Sequence, residues 1–331
     1  MLIAVLAAIF LSLWTTSDVA ARQPVRVAVL KFGTVNWELA TLLHHGLDRS
    51  HQIDLKVIPY ASSDATVVAL LAGGADVIVS DWLFVSRQRD AGRDFVFVPY
   101  STAVGSLMVA ADSPITGLRD ATGLRIGVAG GKLDKNWLIV QAYATDILGK
   151  DLAGDNEIIY GAPPLLAQKA RRGEVDAVLN YWHYSARLEA SGFRSIGAVQ
   201  DAVKSFGASG PVSAIGYVFS EAWAQANPEA VEGFVRASYQ AKMLLKRSDD
   251  EWLRLRKVGL IRDDEKTTLI LRDRFRQGIP ARTPSAEADD AALVFRRLAK
   301  IGGRQLVGDA SEMAPGTYWQ NVPGKKQTGR P

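Results

Sequence analysis

Four of the chain's eight tryptophans fall just after four predicted core strands: Trp37 after a strand at 25–32, Trp82 after 75–80, Trp137 after 124–129 and Trp182 after 175–180. An indole offers a flat apolar face that attracts cations and other rings, and a single N–H donor. Near these indoles stand short polar residues that can each aim one or two hydrogen bonds, Asn36, Asp81, Asp134, Asn136 and Asn180, and Ser106 adds a hydroxyl farther along the chain. Aromatic faces beside carboxylates and amides suit a planar nitrogen heterocycle or an organic amine. Lys132 and Lys135 pull the other way, because an ammonium pairs with a carboxylate or a sulfonate. Each type also has a plainer use. Large aromatics fill seams, Asp81 and Asp134 are good helix N-caps, and most lysines are solvated. The candidate ligand-binding set is Asn36, Trp37, Asp81, Trp82, Ser106, Lys132, Asp134, Asn136, Trp137, Asn180 and Trp182, with no catalytic residue among them.

Such a set needs a scaffold that gathers strand ends. β-Branched runs alternate with helical periodicity, predicting strands at 25–32, 53–59, 75–80 and 95–100 and helices at 37–47, 64–72 and 82–91. Gly46, Gly73 and Gly92 end these helices as C-cap residues do. A crossing over 105–109 leads to a second series, with strands at 124–129, 157–160 and 175–180 and helices at 136–148, 164–172 and 185–191. The chain returns through 209–219 and is then mainly helical, over 229–245, 249–258, 264–277 and 285–301. This predicts an α/β fold of two lobes joined by a two-crossing hinge. Residues 22–106 and 207–322, with the C-terminal helices, form lobe 1, and 107–206 form lobe 2. Ligands gather outside the carboxyl ends of strands in open α/β sheets, so the candidate residues are expected in the cleft between the lobes. Gly105, Gly207 and Gly210 lie at the crossings, where backbone rotation would close the cleft. Asp76 and Asp176 each follow a glycine and open a strand, which reads as turn capping rather than catalysis.

Composition narrows the class. Of 331 residues, 48% are hydrophobic and 22% charged, an ordinary globular balance with length for two domains. The net charge of +4 is spread among acidic residues, so no nucleic-acid-binding face is expected; only 323–331 is a concentrated basic tail, read as disordered. The apolar run 2–14, followed by Val19-Ala20-Ala21, reads as a secretory signal over 1–21, cleaved after Ala21. That run falls short of the roughly 20 residues of a membrane span. Cysteine is absent, which excludes disulfides, a thiol nucleophile and a lipid-bearing cysteine. His44, His45, His51 and His183 lack metal-ligand spacing, and no phosphate loop or nucleophile elbow appears, so neither metal nor cofactor is expected.

Several stretches then carry a likeness. Leu71-Ala72-Gly73-Gly74-Ala75-Asp76-Val77 and Gly173-Glu174-Val175-Asp176-Ala177 form two glycine–aspartate steps; Asp112-Ser113-Pro114-Ile115 and Leu118-Arg119-Asp120-Ala121-Thr122-Gly123-Leu124 precede the second lobe's first parallel strand. Ser220-Glu221-Ala222-Trp223, Asn227-Pro228-Glu229-Ala230-Val231 and Phe234-Val235-Arg236-Ala237 follow the return. On these residues the chain resembles ABC-transporter solute-binding proteins of the nitrate/sulfonate/taurine (NitT/TauT) and thiamine-precursor group, often called SsuA/THI5-like. The resemblance implies a type II periplasmic-binding-protein fold, a periplasmic location, a small-molecule solute and an inner-membrane ABC permease as partner, with no enzymatic activity. Relatives that bind sulfonate or nitrate are expected to hold the anion with small hydroxyl residues and helix N-termini. Here Ser80-Asp81-Trp82 and Asp134-Lys135-Asn136-Trp137 occupy those places, favouring a small organic nitrogenous or heteroaromatic solute. Two alternatives stay open: a sulfonate, taurine or nitrate-like anion, and a sensor subunit of a signalling receptor. Two enzymes of similar fold depend on cysteine, one through a cysteine-rich motif and one through a cysteine-linked cofactor, and this chain has none.

Overall fold

The computed structural model describes residues 22–321; the predicted signal segment 1–21 and the basic tail 323–331 lie outside the described residues. The first stretch runs β1 (Gln23–Leu30), α1 (Val35–His44), α2 (Leu47–Ser50), β2 (Ile53–Tyr60), α3 (Ser63–Leu71), β3 (Val77–Ser80), α4 (Trp82–Asp90) and β4 (Phe95–Ser101). The second runs β5 (Ser106–Val109), β6 (Arg125–Ala129), α5 (Lys135–Tyr143), β7 (Glu157–Gly161), α6 (Pro163–Arg171), β8 (Ala177–Leu179), α7 (Trp182–Ala190), β9 (Arg194–Ala198) and α8 (Val199–Ser205). The chain returns as β10 (Ile215–Ser220) and continues through α9 (Glu221–Ala226), α10 (Pro228–Arg247), α11 (Asp249–Lys257), α12 (Glu265–Gln277) and α13 (Pro284–Val307).

These strands make two sheets of one pattern, ordered β2-β1-β3-β10-β4 and β7-β6-β8-β5-β9. In each, three parallel strands come from a βαβ run, and the fourth strand in the order is antiparallel to both neighbours. The predicted crossing at 105–109 is shorter than expected, because 106–109 is already strand β5 of the second sheet. Gly105 sets how closely that crossing packs. A Cβ there would stand 1.6 Å from the carbonyl oxygen of Asn180, so only glycine lets the two backbones meet.

The glycine–aspartate steps do more than cap turns. Asp76 accepts hydrogen bonds from the Arg26 backbone N–H (2.8 Å) and its guanidinium (3.0 and 2.6 Å), while the same guanidinium reaches the Gly73 carbonyl at 2.8 Å. The second sheet repeats this clamp with Arg125, Asp176 and the Gly173 carbonyl. There the Arg125 hydrogen bonds outweigh partial burial and hold the Asp176 carboxyl below its usual range. A bidentate guanidinium tying strand to turn fixes the register of each sheet locally.

The C-terminal helices do not rest on the first sheet alone. Helix α10 packs on α1 and the first sheet, but α12 lies against α7 and α13 against both α4 and α5. Ala291, Val294, Phe295 and Leu298, spaced as one helical stripe, are fully buried in this seam. Two bidentate ion pairs, Arg187–Asp263 and Arg274–Glu189, fasten α7 to the C-terminal region.

Candidate functional site

A cavity of about 560 Å³ opens between the carboxyl ends of the two sheets. From the first half come Ser80, Asp81 and Arg87, and from the second Asp134, Lys135 and Asn136, with Tyr181, Trp182 and His183 at the start of α7. The lips form because aspartate is a strong N-cap. Asp81 accepts the Phe84 N–H at 2.8 Å and starts α4; Asp134 accepts the N–H groups of Asn136 (3.0 Å) and Trp137 (3.2 Å) and starts α5. Across the cleft, Lys135 Nζ donates to Asp81 Oδ2 at 2.9 Å, an ion pair joining the halves.

The site's charges are mostly accounted for internally. Burial raises the Asp81 carboxyl, but the Lys135 ammonium and the Phe84 N–H outweigh it, leaving the group below its usual range and ionised. For Asp134 burial wins over the attraction of Lys135, and the carboxyl lies above its usual range. Burial and the Asp134 charge push the Tyr181 hydroxyl up to about 12, so it stays protonated. Burial and Arg187 push His183 down to about 3, so its ring is neutral at physiological pH. Among the described residues lining this cavity, two buried side-chain atoms have no hydrogen-bond partner: Asn136 Oδ1 and His183 Nδ1. Asn136 is 8% exposed, so its oxygen is an acceptor already stripped of most water.

Of the predicted set, Asp81, Asp134, Asn136 and Trp182 line this cavity. The other three tryptophans do not. Trp37, Trp82 and Trp137 are 4%, 2% and 0% exposed. Trp37 packs edge-on against Trp182 and Trp252 and donates its indole N–H to the Leu260 carbonyl; Trp82 meets Phe295 of α13. The expectation of an aromatic cleft is corrected accordingly, because an indole's large apolar area is better spent in a seam that later helices close. Asn36 donates to the Leu30 and Gly33 carbonyls and shapes the turn before α1. Asn180 is buried, bonding the Pro163 carbonyl and the Tyr181 N–H. Lys132 is exposed and outside the wall. Ser106 faces a separate cavity of about 530 Å³ behind the crossing.

Residues 44–247 match the family described as NMT1/THI5 like. The chain belongs to the NMT1/THI5-like family. Among solved structures it is similar to the periplasmic aliphatic sulphonate binding protein SsuA of Escherichia coli, at 18% identity and TM-score 0.70 over 93% of this chain and 96% of that one. It is also similar to the alkanesulfonate-binding protein SsuA of Xanthomonas axonopodis pv. citri bound to MOPS, at 16% identity and TM-score 0.65 over 91% and 99%. An ABC transporter structure from Parabacteroides distasonis aligns at 14% identity and TM-score 0.68 over 90% and 99%. No curated protein matches the chain. At these identities the structures establish the fold, a two-lobed periplasmic-binding-protein architecture, as the sequence predicted.

Within this family fold, sequence reasoning missed several wall residues. Tyr181 and His183 flank Trp182 at the same strand end and were available from position alone. Lys135 reads in the sequence only as a charge, since its partner stands 54 residues earlier. Gln305 and Leu306 also line the cavity. They lie past the predicted helix end at 301, where Gly302-Gly303 reads as a stop signal.

Proposed function

We propose that this NMT1/THI5-like chain is the solute-binding component of an ABC import system. In this reading segment 1–21 exports it to the periplasm, and lobe 1 (22–106 with 207–322) closes with lobe 2 (107–206) on a small organic nitrogenous or heteroaromatic solute. The loaded form then delivers the solute to an inner-membrane permease, and the site binds without catalysing. The observation that carries the solute class is the unpartnered Asn136 Oδ1 beside the Asp134 carboxylate, in a wall whose nearest ammonium, Lys135, is taken by Asp81. An unpartnered acceptor beside a carboxylate calls for a ligand with N–H groups, and the Trp182 face supplies a surface for a cation or a ring. A second reading, an organic sulfonate or related anion, is favoured by Arg87 in the same wall and by the likeness to proteins named as sulfonate-binding.

A thermal-shift screen with ethylamine, cytosine, ethanesulfonate and nitrate separates the two, since a ligand of the native state raises its midpoint by mass action. Ethylamine or cytosine is expected to raise it, and Asp134→Asn to weaken that binding about 10- to 100-fold, the scale of a hydrogen bond to a charged group. A shift with ethanesulfonate or nitrate alone replaces the first reading with the second.

A further inference from the structure

Helix α13 is not continuous. Gly303 breaks it at φ 57° and ψ −159°, and Gly308 ends it at φ 74° and ψ −144°. Both are backbone conformations that residues with a Cβ avoid. Between the two glycines stands one turn, Arg304-Gln305-Leu306-Val307. Leu306 anchors that turn to both halves of the molecule. Its carbonyl accepts from Arg87 Nη1 of α4 at 3.1 Å, and its side chain, 8% exposed, crowds Gly302 together with Leu138 of α5. A Cβ at Gly302 would lie 2.7 Å from Leu306 Cδ2 and 3.1 Å from Leu138 Cδ1, so the glycine makes room for this contact. The neighbouring Gln305 is exposed and lines the cavity, and its side-chain amide is bonded to no other described residue.

We propose that residues 303–308 form a glycine-bounded flap in the wall of the cleft, and that Gln305 on this flap is a specificity-determining residue that contacts the bound solute. The inference rests on the reading of the cleft as a solute site, but not on which solute it takes. A carboxamide offers two donors and an acceptor, so one residue can meet either an ammonium or an anionic oxygen. The flap presents it from a segment far from both lips in sequence. The buried Leu306 and Val307 hold the turn in place, and the two glycines set the backbone path that leaves Gln305 facing the cavity.

The test uses the full chain and two probes of equal carbon length and opposite charge, ethylamine and ethanesulfonate, with affinity read by calorimetry. Gln305→Ala should weaken whichever probe binds by about tenfold or more, the loss of one hydrogen bond to a charged group. Gln305→Glu should tighten ethylamine or weaken ethanesulfonate by a similar factor. The identity of the binding probe decides the solute class, and the response to the residue at 305 decides the flap, so one can fail while the other stands. Affinity unchanged within about twofold in both variants overturns the proposal. A solute-independent measurement covers the case in which neither probe binds. A nitroxide on the thiol of Gln305→Cys, unambiguous in a cysteine-free chain, should broaden the indole resonance of Trp182. An unbroadened signal removes position 305 from the cleft and overturns the proposal.

Discussion

Asp81 caps α4 at the end of the first sheet and Asp134 caps α5 at the end of the second, yet their carboxyls are driven in opposite directions. Burial raises both. At Asp81 the opposing influences win, led by the ammonium of Lys135 in direct contact. Asp134 also feels Lys135, but Asp81 repels its charge and burial prevails. Two caps of the same type therefore serve different ends. The one with a cationic partner joins the two halves, and the one without is the carboxyl that the proposed solute reading relies on.

The severest way to break this pairing is to remove the indole beneath a lip. Trp82→Ala and Trp137→Ala should each cost about 3–5 kcal/mol in urea unfolding, the range for large-to-small changes of a buried aromatic. A cost below about 1 kcal/mol at either position would mean that the indole faces the cleft after all.

Next in size is the bridged aspartate. Because the folded carboxyl of Asp81 lies below its ordinary value, its contribution is full above the unfolded value and is lost as pH falls through the folded one. Asp81→Asn should cost about 1.5–3 kcal/mol at neutral pH, with the difference from wild type shrinking as pH falls below the ordinary aspartate value of about 3.9. A pH-independent cost would assign the effect to the cap and not to Lys135.

The smallest effect has the opposite sign. With Asp134 raised in the folded state, ionisation penalises the native protein, and the penalty grows as pH climbs from the unfolded value through the folded one. Asn keeps the cap and removes the charge, so Asp134→Asn should stabilise by about 0.5–1 kcal/mol at neutral pH and not at all in acid, after discounting for solvent screening at this half-buried group. Destabilisation at neutral pH would erase the contrast between the lips. Greater stability with weaker amine binding would sharpen it.

What could be read in advance follows from how far each residue's surroundings lie along the chain. The parallel strands, the glycine-ended helices and the aspartate caps were legible because periodicity and capping depend on near neighbours. The orientation of Trp82 was not, because Phe295 and the rest of α13 arrive some two hundred residues later and decide which face of α4 is inside. Trp37 is the same case, covered by Trp252 and Phe275. Lys132 and Lys135 look alike in sequence, yet one is solvated and the other meets Asp81 across the cleft. Strand β9 escaped notice because its half-exposed edge position gives Arg194–Ala198 no clean alternation.

Strand β10 lies between β3 and β4 and hydrogen-bonds to both, and this topology sets an order in time. During synthesis all five strands of the second sheet, from Ser106 to Ala198, emerge before the strand that must join β3 to β4. The second half can thus close its sheet from a continuous stretch, while β3 and β4 stand as open edges, the kind of template on which chains aggregate. Pulse-labelled hydrogen exchange during refolding should accordingly protect the amides of β6 before those of β4, and the reverse order would show that the first sheet assembles by another route. A nascent chain halted between residues 198 and 215 holds one complete sheet and one split pair of edges, so a chaperone that shields this protein is needed longest at the part of the molecule made first.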